Sequence, residues 1–227
     1  MISIASIIIT FIITLSLQIF ISLYFKSEEL SAKTMFQLFL TGICLAIAVL
    51  LLQKIVTPLI LNNKSTIKTI LYSSFITSSL LEESGKLTTL LTFLFITASK
   101  KRSLKTILLC MFCITWGFCF FENSRYAIEY ELSSLLRFKS ATAIHIVSSL
   151  FAALFVYKRE NIVTQKKDIF LLYALLVAVA SHGFYNLLLQ LPNCRHPILT
   201  FTLAQIEVTM LCIMFFFAYK KERGAIK

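Results

Sequence analysis

Long apolar runs alternate with short polar connections along the chain, and each run is about as long as a bilayer crossing. About 20 apolar residues in a helix span the hydrocarbon core. The pattern marks about seven such segments, at 2–25, 35–53, 69–97, 104–128, 140–157, 169–190 and 198–219. No second domain or low-complexity linker interrupts them, so residues 1–227 are expected to form a single integral membrane domain. The piece KIVTPLIL at 54–61 carries Pro58 and is expected to extend the second span or to lie in the interface. A β-barrel would show short alternating segments instead. The expected fold is all-α, a polytopic transmembrane helix bundle.

Composition agrees with this pattern. Hydrophobic residues make up 58% of the chain and charged residues 15%, with a mean hydropathy of +0.83. Such a chain cannot supply the polar surface of a soluble domain. The first run has no Lys or Arg before Lys26 and no clear cleavage site, so it reads as a retained helix and not a signal peptide. The net charge of +11 would suggest nucleic acid in a soluble protein. Here the basic residues sit between spans and set orientation, so no nucleic-acid partner is expected. Lys26, Lys33, Lys100, Lys101, Arg102, Lys105, Lys158, Arg159, Lys166, Lys167, Lys220, Lys221, Arg223 and Lys227 fall on one face. Lys54, Lys64, Lys68, Arg137, Lys139 and Arg195 fall on the other. The richer face is expected in the cytoplasm, with the C-terminus inside and the N-terminus outside. The six cysteines are scattered, and the C-x-x-C of Cys110 and Cys113 reads as packing without a second pair.

The ionisable residues inside the apolar runs change the picture. They are Glu82, Glu83, Lys86, Glu122, Arg125, His145, His182 and Glu207. A charge at a helix centre costs about 2.5–3.5 kcal/mol on insertion scales, so these groups are expected to face one another or a wet cavity. At 1.5 Å per residue, His145 lies about 8 Å below the outer end of its span, Glu122 and His182 about 9–12 Å, and Glu207 about 14 Å. Side chains from antiparallel neighbours thus reach a similar level, with Glu82 and Glu83 nearer mid-membrane. The outer half of their helix is the hydroxyl-rich SSFITSS, Ser73 to Ser79, a candidate water path.

Helical spacing also gives each group a neighbour one turn away: Lys86 after Glu82 and Glu83, Tyr126 after Glu122, Ser149 after His145, and Asn186 after His182. Gly85, Gly117 and Gly183 lie beside these groups and would let helices approach closely. Bland readings suit several residues: Arg125 can snorkel, Glu207 can join two helices, and His196 shows no partner in its loop. A lone intramembrane histidine can be a packed residue. Two adjacent carboxylates with a lysine one turn on are hard to explain as packing.

The motifs carry a family resemblance. EESGK at 82–86 resembles the E-E-x-x-K motif of PrsW-type intramembrane proteases, and FENSRY at 121–126 is similar to their F-E-x-x-x-Y motif. HIVSS at 145–149 resembles the H-x-x-x-S element, and HGFYN at 182–186 the final histidine motif. The four stand in the family's order, within a motif-bearing core of about 69–190. The resemblance implies a multi-pass peptidase of a bacterial plasma membrane that cuts a membrane-anchored protein, such as an anti-sigma factor. The related prenyl-protein endopeptidases have Arg where this chain has Lys86, which favours the PrsW type. The family is classed with metallopeptidases.

Peptide hydrolysis needs an activated water, an oxyanion site and an acid for the leaving amine. Glu82 or Glu83 is the candidate base, with Lys86 holding the other carboxylate in place. Glu122, His145 and His182 either bind zinc or, without metal, stabilise the oxyanion, protonate the amine and align water. Tyr126, Ser149 and Asn186 orient these groups in either case. A proton-coupled secondary transporter could use the same residues, but neither an internal repeat nor a Pro-broken helix pair is evident. A non-catalytic scaffold would have no need to keep such costly side chains.

Overall fold

The computed structural model describes residues 29–61, 66–97, 102–130, 133–162 and 167–191, together with Ile12 and Ser16. Apart from those two residues, the expected spans 2–25 and 198–219 lie outside the described residues, as do His196 and Glu207.

Every element among the described residues is helical. They are α1 (Ala32–Leu61), α2 (Thr66–Tyr72), a π-helical segment (Ser73–Leu80), α3 (Leu81–Ile96), α4 (Leu104–Tyr130), α5 (Ser133–Asn161) and α6 (Ile169–Gln190). Residues 54–61 continue α1, with Pro58 inside the helix. Among the described residues 4 helices are long and apolar enough to cross a membrane: α1, α4, α5 and α6. Five of the expected spans fall in this region. The one that does not qualify is 69–97, which is divided among α2, the π segment and a 16-residue α3 carrying Glu82, Glu83 and Lys86. The described residues thus hold four candidate spans where five were expected, and the count of about seven is not confirmed.

The packing explains why α3 can be short and charged. α1 lies on α4, α4 on α5, α5 on α6, and α6 on the π segment. α3 touches all four long helices. Its buried face holds Glu82, Glu83, Lys86, Leu87 and Leu90. Leu87 and Leu90 enter the main apolar core with Met35 and Leu38 of α1 and Ile107 and Ile114 of α4. Ala152 and Ala153 of α5 and Ala174 and Ala178 of α6 close this core, their small side chains bringing the backbones near. Cys110 and Cys113 are buried in the same core, outside any disulfide. Leu51, Leu52, Ile55 and Leu59 of α1 and Leu172, Leu176 and Phe184 of α6 point outward and are exposed. Water would penalise that surface and acyl chains would not, which is the arrangement of an integral membrane protein.

The α1–α4 contact is backbone against backbone. A Cβ on Gly42 would strike the Ile114 carbonyl, and one on Gly117 the Phe39 carbonyl. Gly85 differs, because its Cβ would meet only the Leu45 side chain, which can turn aside. Gly117→Ala should therefore lower stability in detergent by about 1–3 kcal/mol through overpacking, and Gly85→Ala should do much less. Unfolding both variants by SDS titration checks this, and equal midpoints would count against the close contact.

Candidate active site

The π segment has the sequence SSFITSSL, and two of its hydroxyls bond back to its own carbonyls. Ser79 Oγ donates to the Ser74 carbonyl five residues back at 2.6 Å, and Thr77 Oγ1 to the Ser73 carbonyl at 3.3 Å. π-helical turns are uncommon and often occur at functional sites. This one leads directly into α3 and so delivers Glu82 and Glu83 to the middle of the bundle.

The two carboxylates have different surroundings. Glu83 is engaged at both oxygens. Its Oε1 accepts from Lys86 Nζ at 2.8 Å and lies 2.9 Å from His182 Nδ1, while its Oε2 accepts from Ser149 Oγ at 3.4 Å. Glu82 Oε1 accepts from Gln53 Nε2 and from Ser78 Oγ, both at 3.0 Å. Glu82 Oε2 is buried and has no hydrogen-bond partner. That oxygen lies 3.9 Å from His182 Nε2 and 3.9 Å from His145 Nδ1.

Each imidazole is held by a carboxylate on its other nitrogen. Glu83 holds His182 at Nδ1, and Glu122 Oε2 lies 2.7 Å from His145 Nε2. A carboxylate at one ring nitrogen fixes the N–H there and leaves the lone pair on the other. The lone pair of His182 Nε2 therefore faces the unpartnered oxygen of Glu82, whereas that of His145 Nδ1 is met by the Lys86 ammonium. The rings meet edge to face with centroids 4.4 Å apart. Lys86 Nζ is 3.0 Å from His145 Nδ1 and lies over the Phe118 ring, 4.6 Å from its centroid.

A cleft of about 380 Å³ opens beside this centre. Its wall includes Gln53 and Thr57 of α1, Ser73, Thr77 and Ser78 of the π segment, and Glu82 of α3. Glu122, Arg125 and Tyr126 of α4 and His182, Asn186 and Gln190 of α6 complete the polar lining. Leu189 is the apolar residue among them. The hydroxyl-rich stretch thus lines a polar route to Glu82.

The expected residues fall as follows. Glu82, Glu122, Tyr126, His182 and Asn186 line the cleft. Glu83, Lys86, His145 and Ser149 are buried behind it. Lys86 pairs with Glu83 as the spacing suggests, but Ser149 bonds to Glu83 and not to its helical neighbour His145. Asn186 donates to Ser78 Oγ at 2.9 Å. The groups that could share a metal ion, among the described residues, are Glu82, His145 and His182, with one ligand atom from each within 4.8 Å of the others. Glu122, expected in that set, sits on the far nitrogen of His145. Sequence reasoning missed Gln53 and Gln190 and left Arg125 to snorkel. Gln53 carries one usable signal, a lone amide directly after Leu50, Leu51 and Leu52.

The donor types suit a metal, two imidazoles and one carboxylate oxygen that nothing else satisfies, although the Lys86 ammonium on His145 Nδ1 would have to turn away for that ring to ligate. Tetrahedral zinc with bonds of about 2.0–2.1 Å would bring two donors to roughly 3.3–3.4 Å, closer than the 3.9 Å seen here.

A family model, described as PrsW family intramembrane metalloprotease, matches residues 31–219. The chain belongs to this family. It is therefore a membrane peptidase, and the metalloprotease class supports a metal cofactor. The match begins after the first apolar run and includes all four motifs. No curated protein and no solved structure shows significant similarity to the chain.

Proposed function

We propose that this PrsW-family peptidase hydrolyses a peptide bond of a single-pass membrane protein in the polar cleft, with Glu82, His145 and His182 acting on the attacking water. One observation carries the reading: the unpartnered Glu82 Oε2 faces the lone-pair nitrogen of the carboxylate-anchored His182 ring. Glu82 Oε2 and His182 Nε2 are both acceptors, and a gap of 3.9 Å suits a water that donates to each.

Glu82 takes the proton as the water oxygen bonds to the carbonyl carbon, and returns it to the amine nitrogen as the C–N bond breaks. Asn186, on the cleft wall one turn from His182, donates to the oxyanion. Glu83 and Glu122 keep the two rings in their tautomers. The family's metal, where bound, would be held by Glu82, His145 and His182, and would polarise the carbonyl and lower the pKa of its water. Glu122, the second carboxylate of the cleft wall, is then left to receive the proton.

The cleft lies towards the end of the bundle where α4 and α6 finish and the π segment begins. Among the described residues that end carries Lys54, Lys68, Arg137 and Lys139, and the opposite end carries Lys33, Arg102, Lys105, Lys158, Arg159 and Lys167. This excess supports a reading in which the cleft faces the external side of a plasma membrane and the C-terminus is in the cytoplasm. Cleavage would then fall near the external end of the substrate's transmembrane helix.

The test is cleavage of a panel of single-pass substrates in proteoliposomes, with metal analysis of the same sample. Wild type should cut at least one of them, and His182→Ala should cut none at a measurable rate. One divalent ion per chain, lost in His182→Ala, assigns the proton to Glu122; a metal-free active sample assigns it to Glu82. Cleavage that survives His182→Ala unchanged would remove the proposed centre.

A further inference from the structure

In a helix each peptide carbonyl accepts a hydrogen bond along the axis, and side chains cover the path to its carbon. The segment to be cut must therefore unwind before water can attack, and it comes into the cleft as an extended strand. Outside water, the N–H and C=O groups of such a strand need partners. Much of the cleft wall is neutral and hydrogen-bonding: Gln53, Thr57, Ser73, Thr77, Asn186 and Gln190.

Gln190 is the best placed of these to serve a strand. Ser73 Oγ donates to its Oε1, and its Nε2 donates to Ser74 Oγ at 3.1 Å. These two bonds hold the carboxamide plane against the π segment. A carboxamide has two N–H donors and two lone pairs, so one of each remains for a ligand.

We infer that Gln190 is a main-chain binding site for the unwound substrate, a positioning residue that selects for loss of helix and not for a particular side chain. This rests on the cleft being the active site. Gln190 lies eight residues beyond His182 on α6, about 12 Å along the helix axis. At about 3.3–3.4 Å per residue of extended chain, it meets the substrate three to four residues from the cut. Substrates with helix-weakening residues over that stretch should be preferred.

The experiment uses the full chain in proteoliposomes and a single-pass substrate that the wild type cuts. Backbone amides two to five residues from the cut are replaced one at a time by esters, which removes an N–H and weakens the neighbouring acceptor. Wild type should lose roughly 3- to 10-fold in kcat/KM at one position, three or four residues from the cut, as expected for one hydrogen bond. Gln190→Leu should lose a similar factor on the all-amide substrate and then show no further penalty from the ester at that position. Ser74→Ala loosens the same amide and should reduce the ester penalty in part, which keeps the test open if Gln190→Leu folds poorly. An ester profile identical in wild type and both variants overturns the inference. That outcome is distinct from failure of the catalytic reading, in which Glu82→Gln would cut as well as wild type.

Discussion

Glu82→Gln is expected to lower the cleavage rate by about 10²- to 10⁴-fold, the usual worth of a positioned acid–base group, without lowering the melting temperature of the metal-free protein. Glu82 Oε1 accepts two hydrogen bonds, and Oε2 accepts none. A buried charge with one oxygen unsatisfied opposes folding, so the neutral isostere should melt at or above the wild-type temperature. Glu83→Gln should behave differently. Its carboxylate holds Lys86 and His182 and accepts from Ser149, so its loss should reduce activity and stability together. The pair of assays, cleavage in proteoliposomes and thermal melting in detergent, separates a group kept for chemistry from one kept for architecture. A Glu82→Gln protein within tenfold of wild-type activity would sink the assignment.

That division between adjacent carboxylates was not legible from the sequence. Glu82 and Glu83 share a motif, a depth and a nearby lysine, and only the cross-helix partners distinguish them. Hydropathy did place α4 and α6, whose candidate spans Leu104–Ile128 and Ile169–Gln190 coincide with the apolar runs 104–128 and 169–190. Those helices are bounded by charged connections, so composition changes sharply at their ends. The run 69–97 is helical as far as Ile96 but divided into three elements, and it can carry charge because the face with Glu82, Glu83 and Lys86 is buried. Its central position depends on contacts with α1, α4, α5 and α6, and no local window holds that information. Neighbours one turn apart were a sound guide for Lys86 and Glu83, where a long side chain folds back on its own helix. For Ser149 and Asn186 the short side chain reaches across to another element, Ser149 to Glu83 and Asn186 to Ser78. The convergence of the polar groups was legible, since the cost of stranding each one in lipid leaves few other arrangements. The roles were not, because they depend on which nitrogen of each ring is already taken.

Lys86→Met should show the largest stability effect of any single substitution in the centre. The ammonium is fully buried, 2.8 Å from Glu83 Oε1 and 3.0 Å from His145 Nδ1, above the face of Phe118. Methionine nearly fills the same volume, so little of the effect comes from a cavity. What remains is a buried Glu83 carboxylate without its cation, and breaking a buried pair in this way costs about 3–5 kcal/mol. The double variant Glu83→Gln/Lys86→Met removes both charges and should recover most of that loss, because replacing the whole of a buried pair is often close to neutral. Unfolding of the two single variants and the double one then gives a coupling energy. If Lys86 serves the fold through Glu83, the coupling should approach the full cost of the lysine substitution. Activity should not return with stability in the double variant, because His182 has lost the carboxylate that fixes its tautomer. A Lys86→Met protein that unfolds within about 1 kcal/mol of wild type would mean that the ammonium is not the counter-charge of Glu83, and the division of labour between the two glutamates would have to be redrawn.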